Sequence, residues 1–220
     1  MCVFSSDDCL LKETPNIMGV WVVIPVKPLN QAKTRLSQVL TPLERQQLAE
    51  TMLRHVLGVV QQIPQLMGTL VISRDNKALA IAREYGARTV QESGAPELNS
   101  ALMRATQVVD RLKGSAILIL PADLPLLDAE DIRSIIQMGE REPSMVISTD
   151  QHHDGTNALF TRPAGLIEYT YGPGSFNRHI EKGREAGAEV HIYQSERLSL
   201  DIDMPADLKF YSELTKGYAS

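Results

Sequence analysis

The stretch Ile117-Leu118-Ile119-Leu120-Pro121-Ala122-Asp123-Leu124-Pro125-Leu126 constrains the fold of this chain more than any other. Four branched apolar residues in succession leave no polar face, the pattern of a strand covered on both sides in a parallel sheet. Two prolines then stop it, because neither can donate a hydrogen bond to a neighbouring strand. Asp123 stands between them, just past the carboxyl end of the strand, where open α/β sheets hold their ligands. A carboxylate there suits a divalent cation and, through it, phosphate chemistry. It equally suits the cap of a turn or of the next helix.

The rest of the chain keeps the alternation such a sheet requires. Val20 to Val26 reads as a first strand. Thr41-Pro42-Leu43-Glu44 combines a capping box with proline at the first helical position. The helix it opens carries Leu48, Met52, Val56 and Val60 at i+4 spacing and ends near Gln62, before Pro64. Thr69 to Ser73 is a second strand, Asp75 caps a helix running to Tyr85 and Gly86, and Arg88 to Gln91 is a third strand. Leu98, Leu102, Ala105, Val109 and Leu112 form the inward stripe of the next helix. Asp128 opens another, with Ile132, Ile135 and Ile136 inward and its acids near the positive end. Met145 to Ser148 and Ala158 to Thr161 read as strands, a short helix follows Gly172–Ser175, Val190 to Tyr193 is a strand, and a final helix starts near Pro205. This predicts one α/β domain with a mostly parallel sheet flanked by helices and a small antiparallel annex near 145–195.

With 220 residues and no internal repeat or linker, a single domain over 18–220 is expected, with residues 1–17 as a flexible extension. A net charge of -5 argues against a nucleic-acid binder that relies on bulk positive charge. Cys2 and Cys9 both lie in the extension, which gives neither a disulfide framework nor metal-ligand spacing and fits a reducing cytosol. The extension contains Asp7, Asp8, Lys12 and Glu13 without an apolar run, a poor signal peptide. No apolar run approaches the ~20 residues of a membrane span. A cytoplasmic protein is expected, with no membrane or nucleic-acid partner.

Three groups of residues could do chemistry. Lys27, Lys33 and Arg35 follow the first strand and could converge on a polyphosphate, or form a solvated basic loop. Asp201 and Asp203, two apart, point to one side of an extended segment. One of them could join Asp123 around Mg²⁺, or cap the final helix. Gly155-Thr156-Asn157 and Gly172-Pro173-Gly174-Ser175 are small-residue turns that could present amides and a hydroxyl to an anion, the second at a helix N-terminus with Arg178 and His179 following. Ordinary turn chemistry is the plainer use of such residues. No Walker loop, no G-x-G-x-x-G after the first strand and no G-x-S-x-G is present.

Six motifs occur in order: Val-Ile-Pro-Val-Lys at 23–27 with Ala-Lys-Thr-Arg-Leu at 32–36, Glu-Leu-Asn-Ser-Ala-Leu at 97–102, Pro-Ala-Asp-Leu-Pro-Leu at 121–126, Asp-Gly-Thr-Asn-Ala-Leu at 154–159, Gly-Pro-Gly-Ser-Phe at 172–176 and Asp-Ile-Asp-Met-Pro-Ala-Asp-Leu at 201–208. Together they resemble the CofC/FbiD family of guanylyltransferases, over Val20 to Leu214. The resemblance implies a Rossmann-like nucleotidyltransferase fold of the GT-A type. It also implies transfer of GMP from GTP to 2-phospho-L-lactate or phosphoenolpyruvate, with release of pyrophosphate, in coenzyme F-420 biosynthesis. Carried over by position, Asp123, Asp201 and Asp203 would hold Mg²⁺, and Lys27, Lys33 and Arg35 with Asp123 would act on the triphosphate. Thr156, Gly172 and Ser175 would cradle the acceptor's phosphate, and Ser73, Glu97 and Asn99 would lie near guanosine. A downstream transferase of the pathway is an expected partner, and the exposed face of a mixed sheet makes a homodimer plausible. Two other readings fit the same residues: a nucleotidyltransferase with another base or acceptor, and a catalytically silent nucleotide-binding module.

Overall fold

The computed structural model describes residues 19–93 and 97–217, with side chains to Glu213; the extension expected at 1–17 lies outside the described residues. Seven strands form one sheet: β1 (Val20–Val26), β2 (Gly68–Ser73), β3 (Arg88–Gln91), β4 (Ala116–Ile119), β5 (Ser144–Thr149), β6 (Thr156–Arg162) and β7 (Glu189–Ile192), in the order β3-β2-β1-β4-β6-β5-β7. The helices are α1 (Pro42–Gln61), α2 (Asn76–Glu84), α3 (Leu98–Arg111), α4 (Ala129–Met138), α5 (Ser175–Glu185), α6 (Glu196–Ser199) and α7 (Pro205–Gly217). Of these only α6, too short for a helical period, has no counterpart in the sequence reading.

β1, β2, β3 and β4 pair in parallel, as do β5 and β7. β6 runs against both of its neighbours, β4 and β5. The antiparallel pairing expected near 145–195 is therefore present, but it lies inside the one sheet and is not a separate annex. A connection as short as 150–155 can only return the chain antiparallel. The consequence is functional: β6 begins where β1, β2 and β4 end, so Thr156 and Asn157 enter the edge that also carries Asp123.

Alternation along β1 splits the core. Val20, Val22 and Ile24 pack on one face with Leu53, Val56, Ile132 and Ile136, while Trp21 and Val23 pack on the other with Leu102, Ala105 and Val109. Pro25 is tolerated in this central strand because pairing with β4 stops at Val23. The capping box of α1 forms as read, with Thr41 N–H donating to Glu44 at 2.7 Å and Glu44 N–H to Thr41 at 3.3 Å.

Asp131, in the first turn of α4, does more than complement the helix dipole. Fully buried, it accepts from Tyr193 Oη at 3.0 Å, Ser195 Oγ at 2.8 Å, and Arg197 Nε and Nη2 at 2.7 and 2.9 Å. It thus ties the segment after β7, which leads into Asp201 and Asp203, to the helical layer. Burial alone would raise its carboxyl, but Arg197 and Ser195 outweigh burial and hold it below the ordinary carboxylate range. A depressed carboxyl stabilises the fold above its unfolded pKa, and that stability is lost as pH falls through the folded value. Asp131→Asn is expected to cost about 3 kcal/mol at pH 7. In urea unfolding, the gap from the parent should close below about pH 4. Equal stability at pH 7 would contradict this assignment.

Candidate active site

The site is built where β1, β4 and β6 meet at one edge. After β1 the chain makes two single 3-10 turns, Leu29–Gln31 and Thr34–Leu36, with Lys33 between them in the left-handed region at φ 55°. Asp75 N-caps α2 through Lys77 N–H and also accepts from Leu29 N–H at 2.8 Å, fastening the first turn. Leu36 fastens the second, packing with Met52 of α1 and Ile202. In an extended segment the neighbours of Ile202 point the opposite way, so burying it aims Asp201 and Asp203 into the site.

Lys33 lies at the centre. Its Nζ stands 2.6 Å from Asp123 Oδ2 and 3.2 Å from Asp203 Oδ1, with only 4% of the side chain exposed. Burial favours neutral lysine, yet Asp123 and Asp203 together outweigh it and raise its pKa. Arg35, exposed, reaches Asp203 Oδ2 at 3.2 Å. Asp201 is pushed up to about 6 by burial first, then by the negative charges of Asp123 and Asp203. Asp123 and Asp203 therefore share one buried cation, with Asp201 near enough to feel their charges, so three acids stand against the two cations Lys33 and Arg35. Among the described residues, no three His, Cys, Asp or Glu side chains already stand at metal-binding spacing. The donor chemistry nonetheless fits Mg²⁺, which takes hard oxygens and needs only one or two carboxylates beside phosphate and water.

A cavity of about 460 Å³ opens from this cluster. Lys27, Lys33, Glu97, Asp123, Thr156, Asn157, Asp201 and Asp203 line it, together with Arg74, Glu92 and Tyr171. At the far side of Thr156, its hydroxyl lies 3.1 Å from Ser175 Oγ. Three amides at the second glycine turn are engaged: Ser175 N–H donates to Gly172 O at 3.0 Å, Gly174 N–H to Asp154 Oδ2 at 3.0 Å and Phe176 N–H to Asp154 O at 3.1 Å. They hold the turn's shape and seat the buried Ser175 hydroxyl behind Thr156. Arg178 braces the same turn, donating to the carbonyls of Pro173 and, at 2.7 Å, of Thr170.

The residues expected near guanosine divide. Glu97 caps α3, accepting from Ser100 N–H at 3.0 Å, and lines the cavity. Ser73 is buried at the end of β2, accepting from Asp75 N–H at 3.0 Å. Asn99 holds the backbone of Tyr171, accepting its N–H at 2.7 Å and donating to its carbonyl at 3.3 Å. Sequence reasoning missed Arg74 and Glu92, whose side chains approach to 3.6 Å and which immediately follow β2 and β3. The carboxyl-end rule that found Asp123 points to both. Asn157, named in the sequence only as part of its small-residue turn, donates to Leu198 O at 2.8 Å and ties β6 to α6.

The family profile described as "Guanylyl transferase CofC like" matches residues 20–214. The chain belongs to the CofC family. It is 37% identical over 191 residues to phosphoenolpyruvate guanylyltransferase of Rubrobacter xylanophilus, covering 87% of this chain and 92% of that protein. It is 35% identical over 186 residues to 2-phospho-L-lactate guanylyltransferase of Methanocaldococcus infernus, covering 84% and 81%. Among solved structures, a nucleotidyl transferase from Methanothermobacter superposes with a TM-score of 0.64 at 15% identity, over 90% of this chain and 98% of that one. At that identity the likeness speaks for the nucleotidyltransferase fold alone. This CofC-family chain thus has the α/β nucleotidyltransferase fold that its motifs imply. Among the described residues, no helix is long and apolar enough to cross a membrane.

Proposed function

We propose that this chain is a guanylyltransferase moving GMP from GTP to the phosphate of a three-carbon acid, phosphoenolpyruvate or 2-phospho-L-lactate, with release of pyrophosphate, as a step of coenzyme F-420 biosynthesis. The observation that carries the reading is the Lys33–Asp123–Asp203 cluster with Asp201, set in one cavity between Thr156, with Ser175 behind it, and the Glu92–Glu97 wall. The family relationship and the names of its relatives support the same reaction.

In this reading the acceptor's phosphate rests against Thr156 and Ser175, and the triphosphate spans Lys27 and Lys33. A phosphate oxygen of the acceptor attacks the α-phosphorus in line, and the bond to the β-phosphate's bridging oxygen breaks. The attacking oxygen is already an anion, so the chain needs no general base. Its work is to hold two mutually repelling anions in register and to meet the charge that moves onto the leaving pyrophosphate. Lys33 is placed for that, buried and fully charged, where a low dielectric strengthens it. Asp123, Asp201 and Asp203 would hold Mg²⁺, which when bound neutralises phosphate charge and polarises the phosphoryl oxygens.

Pyrophosphate release should be followed with GTP, CTP and ATP, each paired with either acid and Mg²⁺. Release is expected with GTP and at least one acid, and not with CTP or ATP. Release with CTP or ATP alone would move the reading to another base. Silence in every pair, alongside measurable GTP binding, would favour a silent module.

A further inference from the structure

His179 is buried on α5 and uses both ring nitrogens. Nε2 accepts the backbone N–H of Thr170 at 3.0 Å, and Nδ1 lies 3.0 Å from Thr156 Oγ1. A backbone amide can only donate, so Nε2 carries no proton. In a neutral ring the single proton is then on Nδ1, where it is donated to Thr156. The ring is held neutral: burial, then the charges of Arg178 and Lys182, lower its pKa to about 4. Tyr171 stands edge-on to it at 4.9 Å and fixes its plane.

Counting hydrogens shows what the tautomer does. His179, Thr156 and Ser175 make two contacts, 3.0 and 3.1 Å long, and each uses one hydrogen. With Nδ1–H, three hydrogens are available, counting the two hydroxyls, and one hydroxyl hydrogen is left over. With the other tautomer only the two hydroxyl hydrogens exist and both are consumed, so none remains. We propose that His179 is a positioning residue, held in the Nδ1–H form by Thr170, that frees one hydroxyl of the Thr156–Ser175 pair to donate to an anionic oxygen of the acceptor. The subsite then selects an ionised phosphate oxygen, which only accepts, over a group that must donate. The inference rests on reading Thr156 and Ser175 as the acceptor's subsite; it adds the residue that sets their direction.

Two substitutions separate positioning from packing. His179→Asn keeps a donor near Nδ1 but loses the acceptor for Thr170 N–H. His179→Gln keeps the acceptor near Nε2 and loses the donor to Thr156. The Gln variant should raise the acceptor's KM by about tenfold or more, the worth of one hydrogen bond to a charged group, with the KM for GTP unchanged. The Asn variant should melt at a lower temperature than the Gln variant yet keep the acceptor's KM within about threefold of the parent. A structural role gives the opposite order, with the acceptor's KM following the loss in melting temperature. That order, or a parental KM in the Gln variant, overturns the proposal. The ¹⁵N spectrum of the imidazole in the unmodified protein at pH 7 should show a protonated Nδ1 and a bare Nε2; a protonated Nε2 overturns it. That spectrum needs no turnover. A parent that uses neither acid would defeat the substrate reading while the tautomer was still decided.

Discussion

Asp123→Asn lowers turnover by about 10²- to 10⁴-fold with both substrates saturating, the several kcal/mol expected when the charge supporting a phosphoryl site is removed. The substitution keeps shape and removes one charge. It takes the charge out of the shorter of the two contacts of Lys33, at 2.6 Å, and removes one of the three carboxylates proposed for Mg²⁺. The fold should survive, because Asp123 lies in the loop beyond β4 with its side chain 31% exposed and Lys33 keeps Asp203. The loss therefore belongs in kcat, at a melting temperature close to the parent's. Near-parental turnover with Mg²⁺ would remove Asp123 from the reacting centre.

Lys33→Met has an effect of similar size by another route. Methionine fills the volume of the lysine stem but leaves Asp123, Asp201 and Asp203 facing one another without their buried cation. Turnover is expected to fall by about 10²- to 10³-fold, as when a fixed donor to developing charge is lost. Stability should fall by only about 1 kcal/mol, because Asp123 and Asp203 are both partly open to water and can be solvated. Lys33→Arg serves as the control: it restores charge, but a planar fork does not fit a slot that leaves 4% of the lysine exposed. Arginine should recover little of the turnover. If methionine retained most of it, Lys33 would be a structural counter-ion to the acids and nothing more.

Much of this architecture was legible in the chain. The apolar run before Pro121, the capping box at Thr41 and the stripe from Leu98 are local signals, and the strands and helices they announce are present. The place of Asp123 followed from a strand end. What local signals do not carry is which loops share a wall. The reversal of β6 puts Thr156 beside Asp123, and the burial of Leu36 against Ile202 brings Lys33 to Asp203 across 170 positions. Asn99 shows the opposite limit: its motif position suggested a nucleoside contact, whereas its amide is paired with the backbone of Tyr171. As sequence, Asp131 reads only as an acid complementing its helix dipole and His179 only as a neighbour of an anion-binding turn, since an acid in a first turn and a histidine within a helix have many uses. Their roles come from partners 62 to 66 and 23 positions away.

The measurement closest to the central claim is ³¹P NMR of the protein turning over GTP, Mg²⁺ and 2-phospho-L-lactate. Guanylyl transfer joins the α-phosphorus of GTP to the acid's phosphorus through one oxygen. A pair of mutually coupled diphosphate signals should therefore appear in step with pyrophosphate, as the phosphomonoester signal of the acid declines. Appearance of GMP and pyrophosphate with the acid's signal unchanged would contradict it, because the α-phosphorus would then have been attacked by water.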